Sequence, residues 1–82
     1  MQNVPIEDSI DLHTFQPKEI HIVVEEYLYQ AARRGFREVR IIHGRGIGVQ
    51  REIVRSILEK HPGVLSFHDL PDRGSTLVVL KI

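Results

Sequence analysis

The most constraining feature of this chain is a local pattern that occurs twice: a short apolar run, a few polar or glycine residues, then an amphipathic stretch. In the first copy, residues 10–13 precede apolar positions at helical spacing that begin after Pro17. In the second, residues 38–43 and a glycine-rich segment precede a helical pattern over residues 49–60. Period-two alternation predicts the strands, and i, i+3, i+4 spacing predicts the helices. Two successive strand–helix units predict parallel strands with helices packed against them.

The rest of the chain adds two strands joined by a tight turn. Residues 64–70 and 76–82 are strand-like, and Pro71–Gly74 between them are turn formers. The last strand is apolar on both faces, which indicates a central position between the second and third strands. Right-handed crossovers place both helices on one face of the sheet. The predicted fold is an α/β (α+β) two-layer sandwich with the order β-α-β-α-β-β.

Length and composition limit the possible architectures. Eighty-two residues make one small domain, and we divide the chain into an extended arm over residues 1–9 and a folded domain over residues 10–82. The chain has no cysteine, so it has neither a disulfide framework nor a thiolate metal site. No apolar run is long enough to cross a membrane, and the N-terminus does not resemble a signal peptide. These features predict a cytoplasmic protein without membrane contact.

Charge is distributed unevenly although the formal net charge is zero. Residues 1–26 contain six acids and a single basic residue, Lys18, whereas residues 27–60 contain eight basic residues and three acids. The neutral total argues against a general polycation. The basic central part nevertheless allows an anion to bind at one place on the protein.

Asp11 and His13 form the first candidate site. Because they are two residues apart on a predicted strand, their side chains point to the same side. A carboxylate beside an imidazole can orient the ring for general acid or base chemistry. An Asp that only caps the following turn, beside a solvated His, explains the same spacing equally well.

His43 and the following loop form the second candidate site. A glycine-rich loop that leads into a helix offers backbone N–H groups to an anion, and an arginine fork suits phosphate. Arg51 falls in the first turn of the second helix, where the helix dipole disfavours a cation and a bound phosphate would offset the cost. The predicted anion-binding residues are Gly44, Arg45, Gly46, Gly48, Arg51 and Arg73. A plain strand–helix turn with solvent-facing arginines is the alternative.

A metal site is a minority interpretation of the same residues. Asp11, His13 and His43 offer oxygen and nitrogen ligands, so they could together hold a divalent cation such as Mg²⁺. Their spacing does not match the familiar zinc motifs. No cofactor is therefore assigned from the sequence.

The two motifs together resemble the Smr (small MutS-related) domain family. The resemblance rests on Ile10-Asp11-Leu12-His13, on Val39-Arg40-Ile41-Ile42-His43-Gly44-Arg45-Gly46 and on the apolar last strand, and it covers residues 10–82. It implies a sandwich like the C-terminal domain of bacterial translation initiation factor three, with sheet order one-two-four-three. The family's Asp-x-His motif falls on Asp11 and His13. Its His-Gly-x-Gly motif falls on His43, Gly44 and Gly46.

The resemblance also implies a function: endonuclease activity that nicks DNA or cleaves RNA. Asp11, His13 and His43 would then be the acid–base residues, and the partners would be nucleic acid together with ribosomal or mismatch-repair and recombination components. Thr14 stands where the family usually has glycine, and Ile47 stands at the family's hydroxyl position. A nucleic-acid-binding module without cleavage is the alternative that these departures allow.

One face of the predicted sheet lacks a helix, and the last strand has no polar side to present there. Monomers seldom expose a large apolar patch. We expect the arm, through Val4 and Ile6, to cover this face of a monomer. A face-to-face homodimer is the alternative.

Overall fold

The protein, described here from a computed structural model covering residues 6–46 and 48–81, has the predicted element order. The two helices and four strands are β1 (Ser9–Asp11), α1 (Pro17–Arg33), β2 (Glu38–Ile42), α2 (Val49–Lys60), β3 (Val64–Asp69) and β4 (Ser75–Leu80). The first strand ends two residues earlier than expected because His13 already belongs to a turn. The fourth strand ends at Leu80, before the expected Ile82, which lies outside the described residues.

The four strands form one mixed sheet in the order β1-β2-β4-β3, which confirms the expected topology. β1 is parallel to β2, and β4 is antiparallel to both β2 and β3. The central position of β4 explains its composition, since both of its edges are paired. Parallel pairing of β1 and β2 brings their carboxyl ends to the same edge of the sheet.

Local signals place the first helix. Pro17 occupies its first turn, and the carboxylate of Glu19 accepts the backbone N–H of Gln16 at 2.7 Å, which satisfies a donor at the helix start. Gly35, with φ of +80°, follows the helix, and its N–H donates to the Ala32 carbonyl. The helix therefore ends where the sequence places cations, Arg33 and Arg34, followed by a glycine, a pattern typical of helix C-termini.

Both helices cover the same face of the sheet, as expected. Their apolar stripes pack against alternate residues of the central strands, Val39 and Ile41 of β2 and Val78 and Leu80 of β4, all at most 4% exposed. The opposite face is left open and carries Leu77 and Val79, which are partly exposed. No helix in the described part of the chain is long and apolar enough to cross a membrane.

The arm does not cover the open face as expected, at least in its described part. Ile6 packs against the core between helices and sheet, and the carbonyl of Glu7 accepts the Tyr27 hydroxyl of α1 at 2.7 Å. The reason is that this part of the arm continues the line of β1, where the Asp8 carbonyl pairs with the Arg40 N–H, and turns toward α1. Val4 lies outside the described residues.

Candidate functional site

The two sequence motifs meet at one edge of the sheet. Asp11 is in register with Ile42 across the parallel β1–β2 pair, and the Leu12 N–H donates to the Ile42 carbonyl at 2.8 Å. The residues that follow each strand are therefore neighbours. Gln50 of α2 adds a tie between the two loops by donating to the Phe15 carbonyl at 2.8 Å. This is the edge at which open α/β sheets bind ligands.

Asp11 and His13 form an exposed, hydrogen-bonded pair. Oδ1 of Asp11 accepts the backbone N–H of His13 at 3.0 Å and lies 2.7 Å from Nδ1 of the same residue. These contacts, the backbone one first, lower the pKa of the Asp11 carboxyl. One carboxylate therefore closes the turn and also contacts the ring. With Nδ1 donating to the carboxylate, Nε2 is the ring nitrogen left to exchange a proton with a ligand.

His43 is buried at the start of the loop, unlike the exposed His13. It is 6% exposed, its Nε2 lies 2.9 Å from the Thr76 hydroxyl, and its Nδ1 lies 3.2 Å from the Gly44 carbonyl. Both ring nitrogens thus face protein groups. The ring joins the start of the loop to β4, and His43 also lines a cavity of about 190 Å³ beside the glycine loop and α2.

Asp69 is connected to His43 through the Thr76 hydroxyl. The Thr76 hydroxyl donates to Oδ1 of Asp69 at 3.1 Å, because an ionised carboxylate can only accept. The Thr76 hydroxyl thereby links Asp69 to Nε2 of His43, which lies 2.9 Å from the Thr76 oxygen. Sequence reasoning missed Asp69. The alternation of side chains along β3 could have indicated it, since Asp69 pairs with Thr76 on the helix-covered side of the sheet.

The glycine-rich loop between β2 and α2 uses some of its backbone N–H groups in hydrogen bonds within the protein. The N–H groups of His43 and Gly44 both donate to the Gly74 carbonyl at 2.9 Å, so neither is free for an anion, contrary to the expectation for Gly44. Gly44 and Gly48 both have φ of +90°, a conformation that glycine adopts without strain. Gly48 is the N-cap of α2, and no described side chain caps that helix. The N–H groups available to an anion are consequently those nearer the helix start.

A groove of about 370 Å³ collects the residues predicted to bind an anion. All six of them line it, together with two residues that were not predicted, Asp69 and Leu70. The lining comes from the β2–α2 loop, α2 and the β3–β4 connection. The Asp11–His13 pair lies at the same sheet edge but does not belong to this lining.

Arg45 is positioned by the β3–β4 connection. Its Nε donates to the Asp72 carbonyl at 2.9 Å, and its Cγ would lie 3.4 Å from a Cβ on Gly74, so a glycine leaves it room. Within the described chain, its two terminal guanidinium nitrogens have no hydrogen-bond partner. Asp72 shapes the turn itself by accepting the Gly74 N–H and the Ser75 hydroxyl. The Gly74 bond is the main reason that the pKa of Asp72 is lowered.

Arg51 is already paired within the protein. Its Nε donates to Oδ2 of Asp69 at 3.0 Å and its Nη2 contacts the same oxygen, while Nη1 lies 3.7 Å from Glu52. The hydrogen bond from Arg51 lowers the pKa of Asp69, and the same bond raises the pKa of Arg51. Asp69 therefore offsets the unfavourable position of Arg51 in the first turn, and a phosphate is not needed for that purpose. Arg73 completes the basic lining, in a turn conformation with φ of +64°.

The arrangement does not assemble the minority metal site. Among residues 6–46 and 48–81, no three histidine or acidic side chains are grouped closely enough to hold a metal ion. Asp11 and His13 are paired, but the ring nitrogens of His43 are directed to Thr76 and Gly44.

Comparison with known families gives one match over nearly the whole chain. The family model of the Smr domain matches residues 10–81. Endonuclease MutS2 of Caldicellulosiruptor bescii is 39% identical over 80 residues, which is 93% of this chain and 10% of that protein. Endonuclease MutS2 of Helicobacter pylori is 35% identical over 75 residues, again 10% of its length. The chain thus spans about a tenth of the length of these relatives.

Solved structures give the same likeness. The Smr domain of Thermus thermophilus MutS2 superposes with a TM-score of 0.86 at 31% identity, covering 90% of this chain and 98% of that one. YdaL, a stand-alone small MutS-related protein from Escherichia coli, superposes with a TM-score of 0.85 at 27% identity, covering 95% and 67%.

Proposed function

The chain belongs to the Smr domain family, and from this premise we propose that it is a nucleic-acid endonuclease domain that binds the phosphate backbone in the arginine groove. The observation that carries the proposal is the convergence of Gly44, Arg45, Gly46, Gly48, Arg51 and Arg73 on one groove, at the sheet edge that also holds the Asp11–His13 pair. Two relatives that are named endonucleases share this domain.

Arg45 is the primary phosphate ligand in this proposal. Its Nε is anchored on the Asp72 carbonyl, so its guanidinium plane is held before a ligand arrives. The two terminal nitrogens then offer the paired donors that suit two phosphate oxygens. Glycines on either side let a bulky backbone approach closely. Because these contacts reach phosphate and not bases, binding is independent of sequence.

His13 is the proton-transfer residue in this proposal. Its Nε2 removes a proton from the attacking oxygen, which is that of water or of a ribose 2′-hydroxyl. That oxygen forms a bond to phosphorus as the bond from phosphorus to the leaving oxygen breaks, and the leaving oxygen takes up a proton from solvent water, to which protonated His13 then returns one. Asp11 holds the ring through Nδ1 and stabilises its charged form. Unlike the sequence interpretation, this assignment gives His43 a positioning role because its ring is buried.

The test measures cleavage and folding together. The protein is incubated with supercoiled plasmid and with single-stranded RNA, each with Mg²⁺ and with a chelator. His13→Ala is expected to lower the rate by about 10²–10⁴-fold while the circular dichroism spectrum stays unchanged. The Asp11→Ala/His13→Ala double variant is the control for a contaminating nuclease. His21→Ala, on the exposed side of α1, is the matched histidine control and is expected to cleave normally.

His43 variants distinguish a positioning role from an acid–base role. His43→Gln can keep a donor to Thr76, whereas His43→Ala cannot. If His43 positions the loop, His43→Gln retains most of the activity and His43→Ala loses affinity for nucleic acid. Equal loss of turnover in both variants, with binding unchanged, would instead return His43 to the acid–base role expected from the sequence.

A binding module without cleavage is the second candidate function. The observation that favours it is that only one of the two motif histidines presents a free ring nitrogen at the site. This function predicts oligonucleotide binding through the groove with no cleavage of either substrate. Larger assemblies, such as the ribosome or repair and recombination complexes, are then the proposed setting in which a monomer of this domain binds.

A further inference from the structure

We propose that Asp69 sets the affinity of the groove by competing with substrate phosphate for Arg51. This inference rests on the proposed function and deepens it, since it identifies a residue that controls how tightly the backbone is held. Asp69 is an acidic residue inside a groove that is otherwise lined by glycine, arginine and one leucine. The negative charge of Asp69 is therefore opposite to the charge that a simple phosphate site requires.

The contacts of Asp69 show why the competition is direct. Oδ2 accepts the Nε–H of Arg51 and contacts its Nη2, and these two nitrogens form a guanidinium edge that can bind a phosphate through two hydrogen bonds. A phosphate at that edge must take the place now held by the carboxylate. Arg55 lies further away, with its Nη2 3.9 Å from Oδ2.

Asp69 is also unable to follow Arg51 outward. Its other oxygen, Oδ1, accepts the Thr76 hydroxyl at 3.1 Å, and Thr76 is 3% exposed and bonded to His43. The carboxylate is thus tied to the interior on one side and to the groove on the other. Phosphate binding at Arg51 accordingly separates the ion pair and leaves the negative charge of Asp69 facing the bound backbone.

The groove therefore binds the phosphate backbone more weakly, and through fewer arginine contacts, than it would without Asp69. Arg45 can contact phosphate without losing a side-chain partner, whereas Arg51 can do so only by giving up Asp69. Weak binding suits a domain that must release its product, because a cleaved strand retains the same phosphates.

The experiment removes the charge of Asp69 and keeps its shape. Asp69→Asn retains an oxygen that can accept the Thr76 hydroxyl, so the link to His43 can persist. Glu59→Gln, in the last turn of α2 at the opposite end of that helix from the groove, is the matched control with the same change in net charge. Binding of a fluorescently labelled DNA duplex is followed by anisotropy over a series of KCl concentrations.

Asp69→Asn is expected to tighten binding by about two- to fivefold, which is the range measured for exposed ion pairs expressed as a change in affinity. The slope of log K against log salt should steepen by about 0.9, because one more arginine contacts phosphate. The Asp69→Asn/Arg51→Gln double variant should lose both effects. Affinity and slope equal to those of Glu59→Gln overturn the inference but leave the proposed function standing. Absence of binding by the wild-type protein and by every variant overturns both.

A measurement on the unaltered protein covers the case in which Asp69→Asn does not fold. The NMR signals of the Arg51 Nε–H and of the Thr76 amide are followed while the same duplex is added to ¹⁵N-labelled protein. If phosphate replaces Asp69 as the partner of Arg51, both signals should shift together and saturate at the same duplex concentration. An unchanged Arg51 signal alongside shifting Gly46 and Gly48 amides means that the ion pair persists, and it overturns the inference.

Discussion

At the scale of single residues, the acidic side chains of the site are held by hydrogen-bond partners within the protein. Asp11 is bound to His13, Asp69 to Arg51 and Thr76, and Asp72 to Gly74 and Ser75. Arg45 differs because only its Nε is engaged. The same residue type therefore has two environments: Arg51 is paired with Asp69, whereas the terminal nitrogens of Arg45 have no hydrogen-bond partner in the described part of the chain.

Arg45→Ala tests that distinction. It is expected to weaken nucleic-acid affinity to a similar extent for every sequence and to flatten the salt dependence by about 0.9, since a single phosphate contact is lost. Fluorescence anisotropy with two unrelated duplexes measures both quantities. Arg37→Ala, at the amino end of β2 and far from the groove, is the matched control. A salt slope that is the same in both variants would contradict the assignment of Arg45.

At the scale of elements, the site depends on the connection between β3 and β4. Gly74 accepts two N–H groups of the β2–α2 loop through its carbonyl, and Asp72 anchors Arg45. The α1 helix likewise anchors a neighbouring segment, the residues just before β1. The hydroxyl of Tyr27 donates to the Glu7 carbonyl and joins α1 to the segment before β1.

The buried phenol of Tyr27 makes this junction sensitive to alkaline pH. Burial, followed by the charges of Asp8 and Glu7, raises the pKa of Tyr27 to about 12 from an ordinary value of 10.0. The neutral form is favoured in the folded state, so its stabilising contribution is complete below pH 10 and is lost as the pH rises toward 12. That contribution is about 2–3 kcal/mol. Urea denaturation between pH 8 and pH 12 should show the loss.

Tyr27→Phe is the variant that checks the assignment. It should remove this part of the pH dependence, whereas Tyr29→Phe, on the exposed side of α1, should retain it. If both variants lose stability with the wild-type slope above pH 10, Tyr27 is not the group responsible.

At the scale of the whole molecule, one face of the sheet is covered by helices and the other is open. The open face carries Leu65, 63% exposed, beside the partly exposed Val79. Ile6 and Glu7 belong to the covered side. The described part of the arm, from Ile6 onward, therefore packs on the covered side and not on the open face.

Deleting residues 1–8 separates these two effects. The deletion removes Ile6 from the core and leaves the Tyr27 hydroxyl without its acceptor, which alone costs about 1–3 kcal/mol. The melting temperature should fall on the order of 5–15 °C for a domain of this size. Sedimentation should show the same oligomeric state as the full chain, because the described residues of the deleted segment, 6–8, do not lie on the open face. New self-association after the deletion would mean that the arm does cover that face.

Much of the fold was determined by the sequence alone. Apolar periodicity, Pro17, the arginine–glycine stop and the uniformly apolar β4 specified the elements, the sheet order and the common helix face. The placement of both motifs at one sheet edge followed from the parallel pairing of β1 and β2. These features are predictable because they depend on local spacing and on the handedness of crossovers.

The tertiary structure alone decided the surroundings of the site residues. His43 and Asp69 are 26 positions apart in the sequence, and only the pairing of β4 with both β2 and β3 joins them through Thr76. The same pairing brings Gly74 to the loop and so uses the N–H of Gly44. Exposure and hydrogen-bond direction depend on contacts between distant segments. For that physical reason, the sequence could place His13 and His43 at one edge but could not show that one is exposed and the other buried.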